Sequence, residues 1–320
     1  MPEGHTVHRT ANEFNKKFAG TRLVITSPQG RFSDSARLIS DRNLTRAKAI
    51  GKQLFLRFDN DLILRIHLGI YGKWTWSNVS PDAVPDPVGQ VRARFFNGEV
   101  LADLRGPTVC EVISAAEAEL VERRLGPDPL NPDPDLAELA RFIERVRASR
   151  TSIGQLLMNQ EVIAGIGNVY RAEILFRAGI SPFTPGNSLP TELVENMWRD
   201  SVDLMKVGVK TGFMITRDEL LTKKPKKADR NFVYKREGLP CRSFTTPREV
   251  LHALDADGNQ GGPQVLVSDI RMPGGSGLDL LSAVKQRLPG LPVIIMTAYS
   301  DLDSAVSAFS SGAFEYLPKP

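Results

Sequence analysis

The sequence predicts a multidomain α+β chain: an N-terminal helix with an antiparallel β-sandwich, then a helical domain, then an incomplete parallel α/β fragment. Three observations carry this expectation. At 320 residues the chain exceeds one average domain. Its hydrophobic periodicity changes from alternating to helical after about residue 112, and to strand–helix units in the last eighty or so residues. The charge also changes: residues 243–320 hold 5 basic and 8 acidic side chains, net −3, whereas residues 1–242 hold 36 and 29, net +7. A basic part suits a polyanion such as nucleic acid, and the split suggests two parts with different histories.

From Glu3 to Phe18 the apolar residues Val7, Ala11, Phe14 and Phe18 fall at helical spacing, and Gly20 follows as a stop. Strand-like segments come next, at Gln53–Phe58, Asp61–Leu68, Gln90–Phe96 and Glu99–Leu104, with Asp59-Asn60 as a turn. These place the first domain at residues 1–112. Helices are expected at Ala115–Arg124, Asp135–Arg147, Ser152–Gln160, Asn168–Ala178 and Thr191–Val207, separated by Pro and Gly punctuation, which places a helical domain at 113–222. Residues 223–242 read as a basic linker. In 243–320, Val265–Asp269 reads as a buried parallel strand ending in a carboxylate at a loop, where doubly wound sheets place their sites.

Composition narrows the setting. Two cysteines, Cys110 and Cys241, cannot make a disulfide framework, and they fit a reducing cytoplasm. The N-terminus is polar and carries no secretory h-region, and no apolar run approaches the roughly 18 residues of a membrane span. A soluble, cytoplasmic monomer is expected.

The chemistry is expected at the start of the chain. Removing Met1 would leave Pro2 with a free secondary amine beside the carboxylate of Glu3. An α-amino group titrates near pH 8, about two units below Lys, so part of it is nucleophilic at neutral pH and can form an iminium. Glu3 is within reach to shuttle protons. The turn Gly165-Ile166-Gly167-Asn168 precedes a helix whose N-terminal amides suit phosphate. Taken alone, a Met-Pro start, an early Glu and a Gly-x-Gly turn are each more often bland than functional.

Six segments in register identify the pattern: Met1-Pro2-Glu3-Gly4-His5, Gly51-Lys52, His67-Leu68-Gly69-Ile70-Tyr71-Gly72, Leu104-Arg105-Gly106-Pro107, Leu125-Gly126-Pro127-Asp128-Pro129-Leu130, and Ala164 to Glu173. Together they resemble the formamidopyrimidine-DNA glycosylase and endonuclease VIII family, especially its actinobacterial members, over about residues 1–242. The resemblance implies a bifunctional DNA glycosylase with AP lyase activity, acting in base-excision repair on double-stranded DNA with oxidised bases or abasic sites, in the bacterial nucleoid. It implies that Pro2 attacks the anomeric carbon, that Glu3 protonates the opening sugar ring, and that Lys52 contacts the neighbouring phosphate. It places Ile70 and Tyr71 as wedges in the base stack, with strand packing as their plain alternative. Gly167, Asn168 and nearby amides would grip phosphates from a helix-two-turn-helix, and Lys223 and Lys224 would add contacts.

The pattern breaks near Cys241. The family's zinc finger needs four Cys ligands, but Phe244 stands where the second belongs and no Cys follows. Neither zinc nor any other cofactor is expected, and 223–242 holds only the remnant of the finger's start. Residues 243–320 resemble a truncated response-regulator receiver domain of the nitrogen regulatory protein C type, through Leu266 to Pro273, Gly277 to Leu281, Val293 to Ala298 and Phe314 to Pro320. That resemblance makes Asp269 the phosphoacceptor, with Thr297 and Lys319 nearby. The first strand and its Mg²⁺-binding acidic pair are missing, and Asp255 and Asp257 read as linker. The chain thus reads as a fusion of two truncated pieces. Its leading function is DNA repair; a weak binder of damaged DNA ranks second and a signalling protein third.

Overall fold

The computed structural model describes residues 2–220, 225–226, 229–234, 242–257, 263, 265–297, 312–313 and 315–318; for Thr297 and residues 315–318 only the backbone is described. The described chain divides into two compact units, Met1–Glu237 and Gly238–Pro320.

In the first unit, helix α1 (Gly4–Lys17) forms on the expected stripe, and Val7, Ala11, Phe14 and the following Phe18 are all buried. Lys16 and Lys17 close its last turn, where cations offset the carbonyl end of the helix dipole. Seven strands follow with one short helix between the first two: β1 (Arg22–Thr26), α2 (Ser33–Ile39), β2 (Arg42–Ile50), β3 (Gln53–Phe58), β4 (Ile63–His67), β5 (Lys73–Asn78), β6 (Val91–Phe96) and β7 (Val100–Arg105). The last strand of the unit is β8 (Val109–Ile113). They pair antiparallel in the order β5-β7-β6-β1-β2-β3-β4-β8. The two halves join only at Arg22↔Asn43 and Leu23↔Arg42, and both line one core with α1. Phe14 is central to that core: its ring meets Phe18, Trp74, Trp76 and Phe95 at centroid distances of 4.9 to 5.7 Å, at angles typical of edge and tilted aromatic pairs. The Asn15 amide exchanges two hydrogen bonds with the Ala47 backbone, which fixes α1 along β2.

Helix α3 (Ala115–Arg124) begins at a capping box between Ser114 and Glu117. Helices α4 (Ala137–Arg147), α5 (Ile153–Leu156), α6 (Asn168–Arg177) and α7 (Thr191–Thr211) surround a second core containing Phe142, Ile166, Tyr170, Trp198 and Met205. The helix expected over Ser152–Gln160 is only one turn long. The Gln160 side chain is instead spent on the next turn, accepting from the Gly165 amide and donating to the Ile166 carbonyl. Arg9 of α1 donates to the carbonyls of Val209 and Lys210, at the end of α7 where carbonyls lack helical partners.

The segment expected to be a loose basic linker is held on the helical core. Glu173 of α6 is fully buried, and its carboxylate accepts from Thr216 Oγ1 at 2.5 Å and from the amides of Phe232, Val233 and Tyr234 at 2.7 to 2.8 Å. Lys223, Lys224, Lys227 and Cys241 lie outside the described residues.

The second unit contains α8 (Pro247–Asp257), β9 (Leu266–Asp269), the short hairpin β10 (Arg271–Met272) and β11 (Gly275–Ser276), α9 (Gly277–Arg287), β12 (Val293–Thr297) and β13 (Glu315–Pro318). Three strands are parallel in the order β13-β12-β9, and Val293 and Ile295 of β12 share a core with Val250 of α8 and Leu280, Leu281 and Val284 of α9. Two expectations need correction. Asp255 and Asp257 belong to α8, where the spacing of Val250, Leu251 and Leu254 gives the helix an apolar face. The strand ending at Asp269 is not buried throughout: Val265 and Val267 are 47% and 49% exposed, because β9 has only β12 as a neighbour among the described residues. No described helix is long and apolar enough to cross a membrane.

Phe14→Ala should cost about 3–5 kcal/mol of the first unit's stability, as expected for emptying a buried aromatic site, and urea unfolding would measure it. Glu173→Gln puts an NH₂ group among N–H donors. The resulting loss of about 1–3 kcal/mol should speed amide exchange at Phe232–Tyr234 at least about tenfold.

Candidate active site

The Glu3 side chain has no solvent exposure, although it is a carboxylate three residues from the chain start. Its backbone is extended and it does not cap its own helix. The carboxylate instead crosses to α6. Oε2 accepts from the Gly167 amide at 2.9 Å and the Tyr170 amide at 3.4 Å, and Oε1 accepts from the Val169 amide at 2.9 Å. These are the N–H groups that an α-helix leaves unpaired at its start. Burial raises the Glu3 carboxyl above its ordinary range, and the Val169 amide, Lys52 and the other two amides oppose the rise.

Lys52 follows Gly51 in the tight β2–β3 turn. Burial lowers its ammonium, and Glu3 pulls the other way. His67, at the end of β4, is lowered by burial first, then by Lys52 and Arg65. Lys52 thus acts on both Glu3 and His67, near the start of α1. Pro2 is half-buried next to Glu3 at the same place.

Glycines make this junction possible. A Cβ on Gly4 would lie 2.6 Å from Met205 Cε and 2.9 Å from Gly165 Cα; one on Gly167 would lie 2.5 Å from Glu3 Cδ. Gly51 (φ +56°) has the Ala164 Cβ and the Gly165 amide 2.8 and 2.9 Å from where its own Cβ would be. The Gly4 amide donates to the Gly165 carbonyl at 2.9 Å and sews the two backbones together.

The structure treats the other expected site residues differently. Ile70 and Tyr71 are 63% and 83% exposed in the turn after β4, so the alternative of strand packing does not hold for them. Asn168 is exposed at the first turn of α6. Gly167 is buried, and its amide, with those of Val169 and Tyr170, is engaged by Glu3; this corrects the expectation that these amides are bare for phosphate. In the second unit Asp269 and Thr297 stand at the same ends of β9 and β12, where Asp269 pairs with Met296. Lys319 lies outside the described residues, as does the side chain of Thr297.

Sequence reasoning missed Asp128 and His5. Asp128 is buried and accepts from the Gly51 amide, His8 and the Leu130 amide, yet in the sequence it is one residue of a Pro-rich loop. His5 is 3% exposed, pushed down to about 4 chiefly by burial, and packs edge-on against Tyr170 at 5.4 Å. Zinc does not fit the cysteine that is described: Cys110 sits on β8, with burial pushing its thiol up to about 12, so it is no ready thiolate ligand. Among the described residues no three His, Cys, Asp or Glu side chains cluster.

Comparison with known proteins finds relatives of both units. Residues 1–109 match the family model for the formamidopyrimidine-DNA glycosylase N-terminal domain, residues 125–219 its H2TH domain, and residues 228–320 the response regulator receiver domain. "Endonuclease 8 1" of Mycobacterium tuberculosis is 45% identical over 247 residues, covering 76% of this chain and 91% of that protein. The "DNA-binding transcriptional regulator NtrC" of Escherichia coli is 61% identical over 83 residues, covering 26% of this chain but only 17% of that protein. Among solved structures, a Lactococcus lactis formamidopyrimidine-DNA glycosylase with AP-site DNA shares the fold at TM-score 0.56 and 22% identity, covering 66% of this chain and 81% of that one. A complex of the same enzyme with a THF-DNA and an inhibitor reaches TM-score 0.61, covering 75% and 90%. The Glu3-centred junction therefore lies in a chain that belongs to the formamidopyrimidine-DNA glycosylase and endonuclease VIII family, with a receiver-like segment at its C-terminal end.

Proposed function

We propose that the chain removes oxidised bases from double-stranded DNA and nicks the strand through an iminium on Pro2. The observation that carries this reading is the buried Glu3 carboxylate beside Pro2, held by three amides with Lys52 close by. Once Met1 is removed, the Pro2 nitrogen attacks the anomeric carbon and the bond to the base breaks, the base leaving with the electron pair and taking up the proton that the Pro2 nitrogen sheds. The sugar ring opens as Glu3 delivers a proton to the ring oxygen, and the nitrogen lone pair completes the iminium. Loss of a C2′ proton then expels the 3′ phosphate. A carboxyl whose hold on its proton is raised by burial is suited to that proton delivery.

Exposed Ile70 and Tyr71 are suited to fill the gap left by a flipped nucleotide. Exposed Asn168, together with Lys52, would contact backbone phosphates, and no metal is assigned a step. The lost zinc finger favours a second reading, a binder of abasic DNA with slow turnover. Footprinting on lesion DNA without cleavage would select it. Signalling through Asp269 ranks third and requires its modification by acetyl phosphate with Mg²⁺.

Borohydride trapping on a duplex with one abasic site tests the proposal. The parent chain and a version ending at Arg242 should both be trapped, and Pro2→Gly, whose primary α-amine sits on a freer backbone, should be trapped far more slowly. An untrapped parent, in soluble form, would refute the lyase reading. Glu3→Gln should slow base excision by about 10²–10⁴-fold but spare trapping on abasic sites, whose sugar already equilibrates with the open aldehyde. The sign of the pH effect follows from the raised carboxyl: excision should fall as pH rises through the Glu3 titration in the parent, and this limb should vanish in Glu3→Gln. Gly167→Ala pushes the Glu3 carboxylate from its amides and should cost about 10²-fold in excision together with about 1–3 kcal/mol of the first unit's stability, read from its melting.

A further inference from the structure

We infer that Asp128 is a positioning residue that ties the Lys52 turn to the helix presenting Pro2 and Glu3, with His8 as its link to that helix. The inference rests on the repair reading above.

The Asp128 side chain has no solvent exposure, and His8 is 14% exposed. One oxygen, Oδ2, accepts from the Gly51 amide at 2.6 Å and from His8 Nε2 at 2.7 Å. The other, Oδ1, accepts from the Leu130 amide at 2.9 Å. A buried carboxylate is tolerated only when its lone pairs are taken, and here all three donors come from different segments. His8 lies on α1, one turn beyond Gly4; Gly51 begins the turn that carries Lys52; Leu130 belongs to the connection between α3 and α4.

That connection also supports the glycine turn beneath Glu3. The Pro127 carbonyl accepts from the Ala164 amide at 2.8 Å, and the Gly126 amide donates to the Gln160 carbonyl at 2.8 Å. Asp128 thus joins the two parts of the site that no backbone pairing connects directly, α1 and the β2–β3 turn. Gly51 has no slack to take up an error, because its Cβ position is already filled by Ala164 and Gly165. The Lys52 ammonium senses Glu3, so a shift of the turn changes the field at both groups.

Asp128→Asn removes the charge and places an NH₂ among three donors. The test uses the full chain and two readouts. In single-turnover borohydride trapping on an abasic duplex, Asp128→Asn should be slowed about 10–100-fold. Its Kd for a duplex bearing a tetrahydrofuran abasic analogue should change less than about threefold, because its losses are in geometry rather than binding area. His8→Gln, whose amide can donate to the same oxygen, should keep most of the trapping rate, whereas His8→Ala should lose about tenfold.

The second readout is the titration of the Lys52 amine, followed by competitive acetylation and mass spectrometry. It should move in Asp128→Asn by about one unit, a tenfold change in reactive amine. Parent-like trapping by Asp128→Asn, or a trapping loss matched by the loss in Kd, would overturn the inference while leaving the repair reading intact. A parent that is not trapped would overturn the repair reading. The Lys52 titration then still decides the inference, since an unmoved amine refutes it and a moved one upholds the tie.

Discussion

The Glu3 carboxylate, seated on the amide-bearing start of α6, ties the strand-rich part of the first unit to its helical part. Taking a carboxylate fully out of water is costly unless its oxygens are hydrogen-bonded. Here the amides of Gly167, Val169 and Tyr170 supply those bonds. They lie about 165 residues away in the chain, so the strand-rich and helical parts must meet at this point. The meeting is close enough that Gly4, Gly51 and Gly167 have no room for a side chain. The same contact that closes the fold prepares the acid: burial raises the proton affinity of Glu3, while the amides fix where its oxygens point.

Much of this was legible in the sequence, and the failures have physical reasons. The stripe of Val7, Ala11, Phe14 and Phe18 gave α1 within a residue at each end. Strands β3, β4, β6 and β7 were legible as strand-like segments, β4 from its alternation, but β2 was not, because a register shift between Leu44 and Arg46 breaks its period of two. Strand β8 is only half-buried along its length and shows little contrast between faces. Helix α2 is too short, at seven residues, to show a period.

The site was legible as a list of residues but not as a set of contacts. The glycine turn announced a close approach, and its partner proved to be the carboxylate of Glu3 rather than a phosphate. Asp128 looked like loop punctuation because its three donors, from Gly51, His8 and Leu130, come from other places in the chain or from backbone. The second unit shows the same limit. The helical assignment of Asp255 and Asp257 depends on packing of α8 against α9, which the Gly-rich stretch after them obscures.

The Glu173 clasp bears on how such a chain could arise. Its bonds to Thr216, Phe232, Val233 and Tyr234 are complete before the second unit begins at Gly238. Among the described residues, these bonds therefore close before Cys241, where the family pattern breaks. A recombination event falling between these two points exchanges the tail without opening a buried carboxylate. A tail exchanged beyond Tyr234 leaves those four bonds in place, because none of their partners lies past that residue.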